Sequence, residues 1–308
     1  MKVFTYHIPT NNPIKKKALV LSDLHVYKDK DCKKLIEISN LLEEENFDYI
    51  YVVGDIIEAT NFLHSPISNP WINQFYDFFE KLGSYAPTYI VFGAHDIGYF
   101  SKIAGWTDDQ ETLYEKFINR ISVFSGIHIL ENETQNLGDG YTISGYNQPM
   151  SCEENLSEEE RYDIIKKELS FLLKLDSSKF NTLLCHYPNI ILKLTDTEML
   201  KNINLALSGH THNGITQFKI FPIEQFLNLI KQPNRGLITP GMSINPKDTD
   251  NLRGKISLKG KDLIINPAFK TFTACHPTLE HLDFLFYRGA SIINYDAKKE
   301  EALTLKRK

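Results

Sequence analysis

The sequence predicts an α/β or mixed α/β fold. Three observations carry the prediction: short β-rich apolar runs, amphipathic segments of helical length between them, and polar residues gathered where the runs stop. The runs are Ala18 to Ser22, Tyr49 to Val53, Tyr89 to Phe92, Thr182 to Cys185 and Leu205 to Ser208. Each is too short for a helix, and four of the five lead directly into Gly or Asp.

The elements follow in chain order. Lys15-Lys16-Lys17 before Ala18 to Leu21 mimics the start of a signal peptide, but Asp23 and His25 end the apolar run too early for an h-region. Helices are predicted for Cys32 to Glu45, Trp71 to Leu82, Gln110 to Phe124 and Ser157 to Leu175. Asp108 or Asp109 can cap the third, and Ser157-Glu158-Glu159-Glu160 makes a capping box for the fourth. Tyr141 to Gly145 reads as a further strand, with Asn147 and Gln148 after it, either reaching a site or turning into Pro149. Past Gly214 the pattern loosens: Phe221 to Ile230 could form a helix, and Gly254 to Ile265 alternates around Gly-Lys breaks as a hairpin does. No repeat or linker divides the chain, so one domain over 1–308 is expected, with its motif-bearing core at about 18–214 and an undefined role for 250–308.

Composition narrows the class of function. A hydrophobic fraction of 42% with 24% charged residues is that of a soluble globular protein. A net charge of −5 provides no general basic field, so non-specific nucleic-acid binding is not expected and a phosphorylated substrate would be held locally. Cys32, Cys152, Cys185 and Cys275 are far apart without a CxxC pair, which fits reduced thiols in a cytoplasm. No apolar stretch reaches the roughly 18 residues needed to cross a bilayer.

The chemistry lies at the strand ends, where loops of an open α/β sheet converge. In order they give Ser22-Asp23-Leu24-His25, Gly54-Asp55, Gly93-Ala94-His95-Asp96, His186 and Gly209-His210-Thr211-His212, or three carboxylates and five histidines. Asp23 and His25 are two apart, as are His210 and His212, so in extended backbone each pair would face one side and could grip one ion. Mixed imidazole and carboxylate ligation suits Mn, Fe, Zn or Ni better than Mg or Ca. The glycines before Asp55, Ala94 and His210 would let the ligand loops turn sharply. Taken singly, Asp-x-His commonly decorates a strand end, a lone histidine such as His186 commonly packs in a core, and His-Thr-His suits a solvated loop. Their joint occurrence at five strand ends points instead to a dinuclear site.

These motifs resemble those of the calcineurin-like metallophosphoesterases: DxH, GD, GNHD/E, a single H, and GHxH. Gly209-His210-Thr211-His212-Asn213-Gly214 looks like the bacterial YkuE-like subgroup. The resemblance implies a four-layer α/β-β-α sandwich of two mixed sheets flanked by helices. It implies two divalent ions, with manganese foremost. One would be held by Asp23, His25, Asp55 and His212, and the other by Asp55 as the shared bridge, His186, His210 and the residue at 94. His95 would stabilise phosphoryl oxygens or protonate the leaving group, with Asp96 orienting its ring. Two ions about 3.5–4 Å apart would lower the pKa of a bridging water and clamp the phosphoryl oxygens. The implied activity is hydrolysis of a phosphomonoester or phosphodiester.

Position 94 departs from that pattern. The family has a metal-ligating asparagine there, and the methyl group of Ala94 cannot ligate. Three origins fit: a substitution introduced to cripple the enzyme, a natural variant that still turns over, or a pseudoenzyme kept as a metal-binding scaffold for protein interaction. Retention of every other ligand favours the first, and His95 with Asp96 favours an enzyme over a scaffold. Arg235 and Arg253 could meet a phosphate or be solvated surface groups. Phe221 to Ile230 and Leu282 to Arg288 could meet a lipid-linked substrate, although core packing is the simpler role for both.

Overall fold

Two mixed sheets of six strands face each other, and helices cover their outer sides. The computed structural model describes residues 1–12, 14–58, 69–93, 95–96, 115, 117–147, 157–211, 254–270 and 288–297. In spatial order the first sheet holds β1 (Lys2–Thr10), β12 (Gly289–Ala297), β2 (Lys16–Leu21), β3 (Tyr49–Val53), β4 (Thr88–Val91) and β5 (Ile127–Ile129). The second holds β10 (Gly254–Leu258), β11 (Lys261–Ile265), β9 (Leu205–Ser208), β8 (Phe180–Cys185), β7 (Tyr141–Tyr146) and β6 (Glu133–Gly138). The strands β2 to β5 run parallel to one another, as do β7, β8, β9 and β11. Their carboxyl ends therefore open along one edge of each sheet.

Alternation along the strands builds the layers. On β2, Ala18 and Val20 face the other sheet, while Leu19 and Leu21 face the helices. On β3, Tyr49, Tyr51 and Val53 point inward, and Ile50 and Val52 outward. Three cores result. The outer core of the first sheet takes apolar residues from α1 (Asp29–Lys34), α2 (Ile36–Glu44) and α3 (Pro70–Tyr85), among them Phe75 and Phe79. The outer core of the second takes Ile165 from α4 (Glu158–Glu168), Leu169 and Leu172 from the 3₁₀ turn that follows, and Ile190 and Ile191 from α5 (Pro188–Leu194). Between the sheets lie Tyr49, Tyr51, Tyr89, Tyr141 and Tyr295 with smaller aliphatic residues.

Several elements differ from the sequence expectation. Cys32 to Glu45 is two helices, broken at a buried Leu35 whose amide closes a tight turn onto the Cys32 carbonyl at 3.0 Å. The capping box at Ser157 is present, but Leu169–Lys174 tightens into a 3₁₀ helix. Gly254 to Ile265 is the antiparallel hairpin β10–β11, and β11 continues the second sheet beside β9. The strands β1, β5, β6 and β12 were not anticipated. The most consequential is β12, which pairs with β1 on one side and β2 on the other. The predicted Gln110 to Phe124 helix is present at 117–122, with Glu115 also helical, while residues 110–114 and 116, the capping candidates Asp108 and Asp109, all of Phe221 to Ile230, and Gln148, Arg235 and Arg253 lie outside the described residues. Of Leu282 to Arg288 only Arg288 is described, and its guanidinium pairs with Glu37. No helix among the described residues is long and apolar enough to cross a membrane.

Candidate metal centre

Five parallel strand ends deliver the polar residues to one place: β2 ends before Asp23 and His25, β3 before Asp55, β4 before His95 and Asp96, β8 at His186, and β9 before His210. Beyond β2 and β3 the chain keeps laddering. The amides of Asp23, His25 and Val26 donate to the carbonyls of Gly54, Asp55 and Ile56 at 2.9–3.0 Å, and the Glu58 amide returns a bond to Val26. Two loops thus run side by side past the sheet, which sets His25 against Asp55 and Glu58.

The backbone of these loops is not extended. Asp23, His25, Asp55 and His210 have φ of 55°, 44°, 53° and 70°, in the left-handed region that side-chain-bearing residues rarely adopt. Asp23 and His25 therefore do not share a direction through strand alternation, as their spacing suggested. Each is turned in place by the ladder to the neighbouring loop. Of the three glycines before site residues, only Gly54 has a positive φ, of 77°. At Gly93 the requirement is close approach, because a Cβ would stand 2.2 Å from Asp55 Oδ1.

Asp55 is the common member of two groups whose ligand atoms lie within 4.8 Å of one another: His25, Asp55 and His95, and Asp55, His186 and His210. His186 Nε2 lies 3.0 Å and His25 Nε2 3.6 Å from Asp55 Oδ2, and all three side chains are at most 1% exposed. The Nδ1–H of His186 donates to the Val53 carbonyl at 2.8 Å, which turns Nε2 toward Asp55. Asp55 Oδ2 and His186 Nε2 are buried and, beyond their own 3.0 Å contact, neither finds a hydrogen-bond partner. Buried polar atoms normally find partners, so two ligand-type atoms converging with none beyond each other fit a site for a cation. Asp23 is fully buried and belongs to neither group. Its Oδ1 accepts from the His210 amide at 2.9 Å, which ties it to the end of β9. Ala94 and His212 lie outside the described residues.

The electrostatics follow from this crowding. Burial pushes the Asp55 carboxyl up, but His186, His95 and His25 together outweigh it and hold the group well below the usual carboxylate range. Burial lowers His186 and His95, yet the negative charge of Asp55 raises each to about 9, aided at His95 by Glu58. Asp96 is raised to about 7, by burial first and by Asp55 second.

Glu58 is the site residue that strand-end reasoning missed. Its carboxylate accepts from His25 Nδ1 at 2.5 Å and lies 3.0 Å from His95 Nδ1, so one acid orients two imidazoles whose rings meet edge to face at 4.6 Å. The expectation that Asp96 orients the His95 ring is corrected accordingly. Asp96 Oδ1 accepts from the amides of Ile56 and Ile57 at 2.7 and 2.9 Å, and Oδ2 from the Gly93 amide at 2.9 Å. It staples the β3 loop to the β4 loop. Asn147 also braces the backbone, since its Oδ1 accepts from the Phe92 amide at 2.8 Å and joins the end of β7 to that of β4. His95 and His210 are partly exposed at the rim, above the buried Asp23, His25, Asp55 and His186.

Comparison with known proteins adds family identity. An uncharacterized metallophosphoesterase from Aquifex aeolicus (strain VF5) is 30% identical over 122 residues, which are 39% of this chain and 41% of that protein. The chain thus matches less than half the length of that curated relative. Among solved structures, phosphopantetheinyl hydrolase from Mycobacterium tuberculosis superposes with a TM-score of 0.42 at 12% identity, covering 83% of this chain and 89% of that one. A dimetal phosphatase from Danio rerio gives 0.45 at 10%, covering 82% and 87%. The family model for calcineurin-like phosphoesterases matches residues 16–214, from the first residue of β2 to beyond His210. That match runs through well over half of the chain and every strand end that carries a candidate ligand, and it places this protein in the calcineurin-like phosphoesterase family.

Proposed function

We propose that this chain hydrolyses a phosphomonoester or phosphodiester with two divalent ions, manganese foremost and iron, zinc or nickel as alternatives. The observation that carries the reading is Asp55, shared by two histidine-containing groups, with its buried Oδ2 facing His186 Nε2 and no further hydrogen-bond partner at either atom. Family membership supports it. When bound, such ions supply a nucleophile at neutral pH and stabilise charge on the phosphoryl oxygens.

The protein's own residues do the rest. Asp55, His25, His186 and His210 would hold the cations, with Asp23 beside them and His212 completing the set. Glu58 fixes the His95 Nδ1–H, so Nε2 is the nitrogen left to pass a proton to the leaving oxygen. Asp96 keeps the β3 and β4 loops in register and does not enter the proton transfer.

Ala94 removes one oxygen ligand from the second ion, so that ion binds more weakly and turnover is impaired. Restoring the ligand by Ala94→Asn is expected to raise turnover at least about tenfold, in line with the cost of changes around metal ligands. The test pairs elemental analysis with aryl phosphomonoester and phosphodiester assays on both proteins. Equal rates would refute the impairment. Bound metal with near-zero turnover by both would point to a metal-binding scaffold instead. The substrate class we assign is a phosphorylated small molecule or lipid-linked phosphate. The location we assign is the cytoplasm, in keeping with the buried free thiols of Cys32 and Cys185.

A further inference from the structure

We propose that Lys270 is a positioning residue for the cation held at His25, acting through the His25 carbonyl; this rests on the metal reading above. Lys270 is 3% exposed, and a buried ammonium carries a heavy desolvation cost that its surroundings must offset. Its Nζ donates to the His25 carbonyl at 2.9 Å and to Asp31 Oδ2 at 3.1 Å, and stands 4.0 Å over the Tyr27 ring. Asp31 is equally buried and belongs to α1, outside both groups of candidate ligands.

The segment after β11 is shaped for this contact. Asn266 Nδ2 donates to Ser22 Oγ at 2.9 Å, the Phe269 amide to the Ser22 carbonyl at 3.0 Å, and the Lys270 amide to the Asp23 carbonyl at 2.8 Å. With Nζ on His25, the clasp takes the carbonyls of Ser22, Asp23 and His25, and two of these residues have positive φ. A loop in that conformation is held only where its surroundings over-determine it. His25 is thus fixed from two directions: Glu58 sets the ring through Nδ1, and Lys270 sets the backbone that carries it.

The buried ion pair is not explained by stability alone. An apolar pair of similar volume commonly stabilises a core as well or better. What lysine adds is a donor long enough to cross from β11's exit to the inside of the β2 loop, with Asp31 neutralising it so that its charge does not oppose a nearby cation. Loss of the donor should therefore weaken the ion at His25 and spare the one at His186 and His210.

Cobalt(II) is the probe, followed by its visible absorption and by equilibrium dialysis. It is titrated into the full chain, into Lys270→Met/Asp31→Asn, which removes both charges together, and into Asp31→Asn, which keeps the lysine donor. The expected result is uptake of two ions by the unsubstituted chain. The double variant should bind one of them at least about tenfold more weakly with a shifted band, and Asp31→Asn should retain both within severalfold. Should the double variant not fold, Lys270→Arg takes its place, because the guanidinium fork keeps the charge and moves the donor off the carbonyl; the same shifted band is expected. Unaltered affinities and spectra in the folded Lys270 variant overturn this proposal and leave the metal centre standing. Equal losses in Asp31→Asn also overturn it, by assigning the effect to charge balance. No uptake by the unsubstituted chain overturns both readings.

Discussion

Gly93 stands where a single added carbon would collide with the centre of the site. A Cβ there would meet Asp55 Oδ1 at 2.2 Å and His186 Cδ2 at 2.8 Å, and the Asp55 carboxylate cannot retreat without abandoning the His95 amide it accepts from. Gly93→Ala is expected to lower manganese affinity at least about tenfold, as read by calorimetric titration. Glu58 offers a second test. Glu58→Gln keeps the shape but removes the charge that faces His25 and His95, so kcat on an aryl phosphate should fall about 10–100-fold. An unchanged kcat would remove Glu58 from the site. The difference in legibility between these residues is physical. Asp23, Asp55, His186 and His210 stand within two residues of a strand end, where sequence marks a site directly. Glu58 lies farther along a loop with no periodicity, and only the ladder between two loops brings it to His25. The residue type at Asp96 was legible, but its partners are backbone amides, which a sequence does not display.

Among the elements, β3 and β9 coincide with their apolar runs because every residue is buried, so the runs have no polar interruption. In contrast β1 mixes exposed and half-buried positions along Lys-Val-Phe-Thr-Tyr-His-Ile-Pro-Thr, and its partner β12 lies almost the whole chain away; neither announces itself locally. The Cys32 to Glu45 segment shows the opposite failure. Its helical periodicity continues across Leu35, and burial of that side chain at 2% exposure accompanies the break. The start of α4 was legible because a capping box is a contiguous pattern: Ser157 accepts from the Glu160 amide, and the Glu160 carboxylate returns to the Ser157 amide at 2.8 Å. Ser157→Ala should cost about 1 kcal/mol in denaturant unfolding. Metal affinity should not change, because α4 packs on the outer side of the second sheet, away from the strand ends.

The whole molecule is held across its middle by a layer of tyrosines. Burial raises the Tyr49 and Tyr295 phenols to about 12 and Tyr51 well above its ordinary value of 10.0. A folded-state pKa above the unfolded one gives stability that is complete below about 10 and is lost as pH rises through the folded value, since the unfolded chain ionises first. The melting temperature should therefore fall steeply above pH 10, and Tyr51→Phe should soften that fall; a flat profile would refute the assignment. The first sheet is also built from distant parts of the chain, because β12 fills the place between β1 and β2. Removing residues 288–297 should leave β1 without its partner and expose the β2 edge, giving insoluble protein on expression. The same placement has a cost in time during synthesis. At about 5–20 residues per second, β12 leaves the ribosome some ten seconds to a minute after β2, and throughout that interval the nascent sheet carries an open hydrogen-bonding edge. Quality control in the cell meets this protein first as a half-built sheet awaiting its late strand.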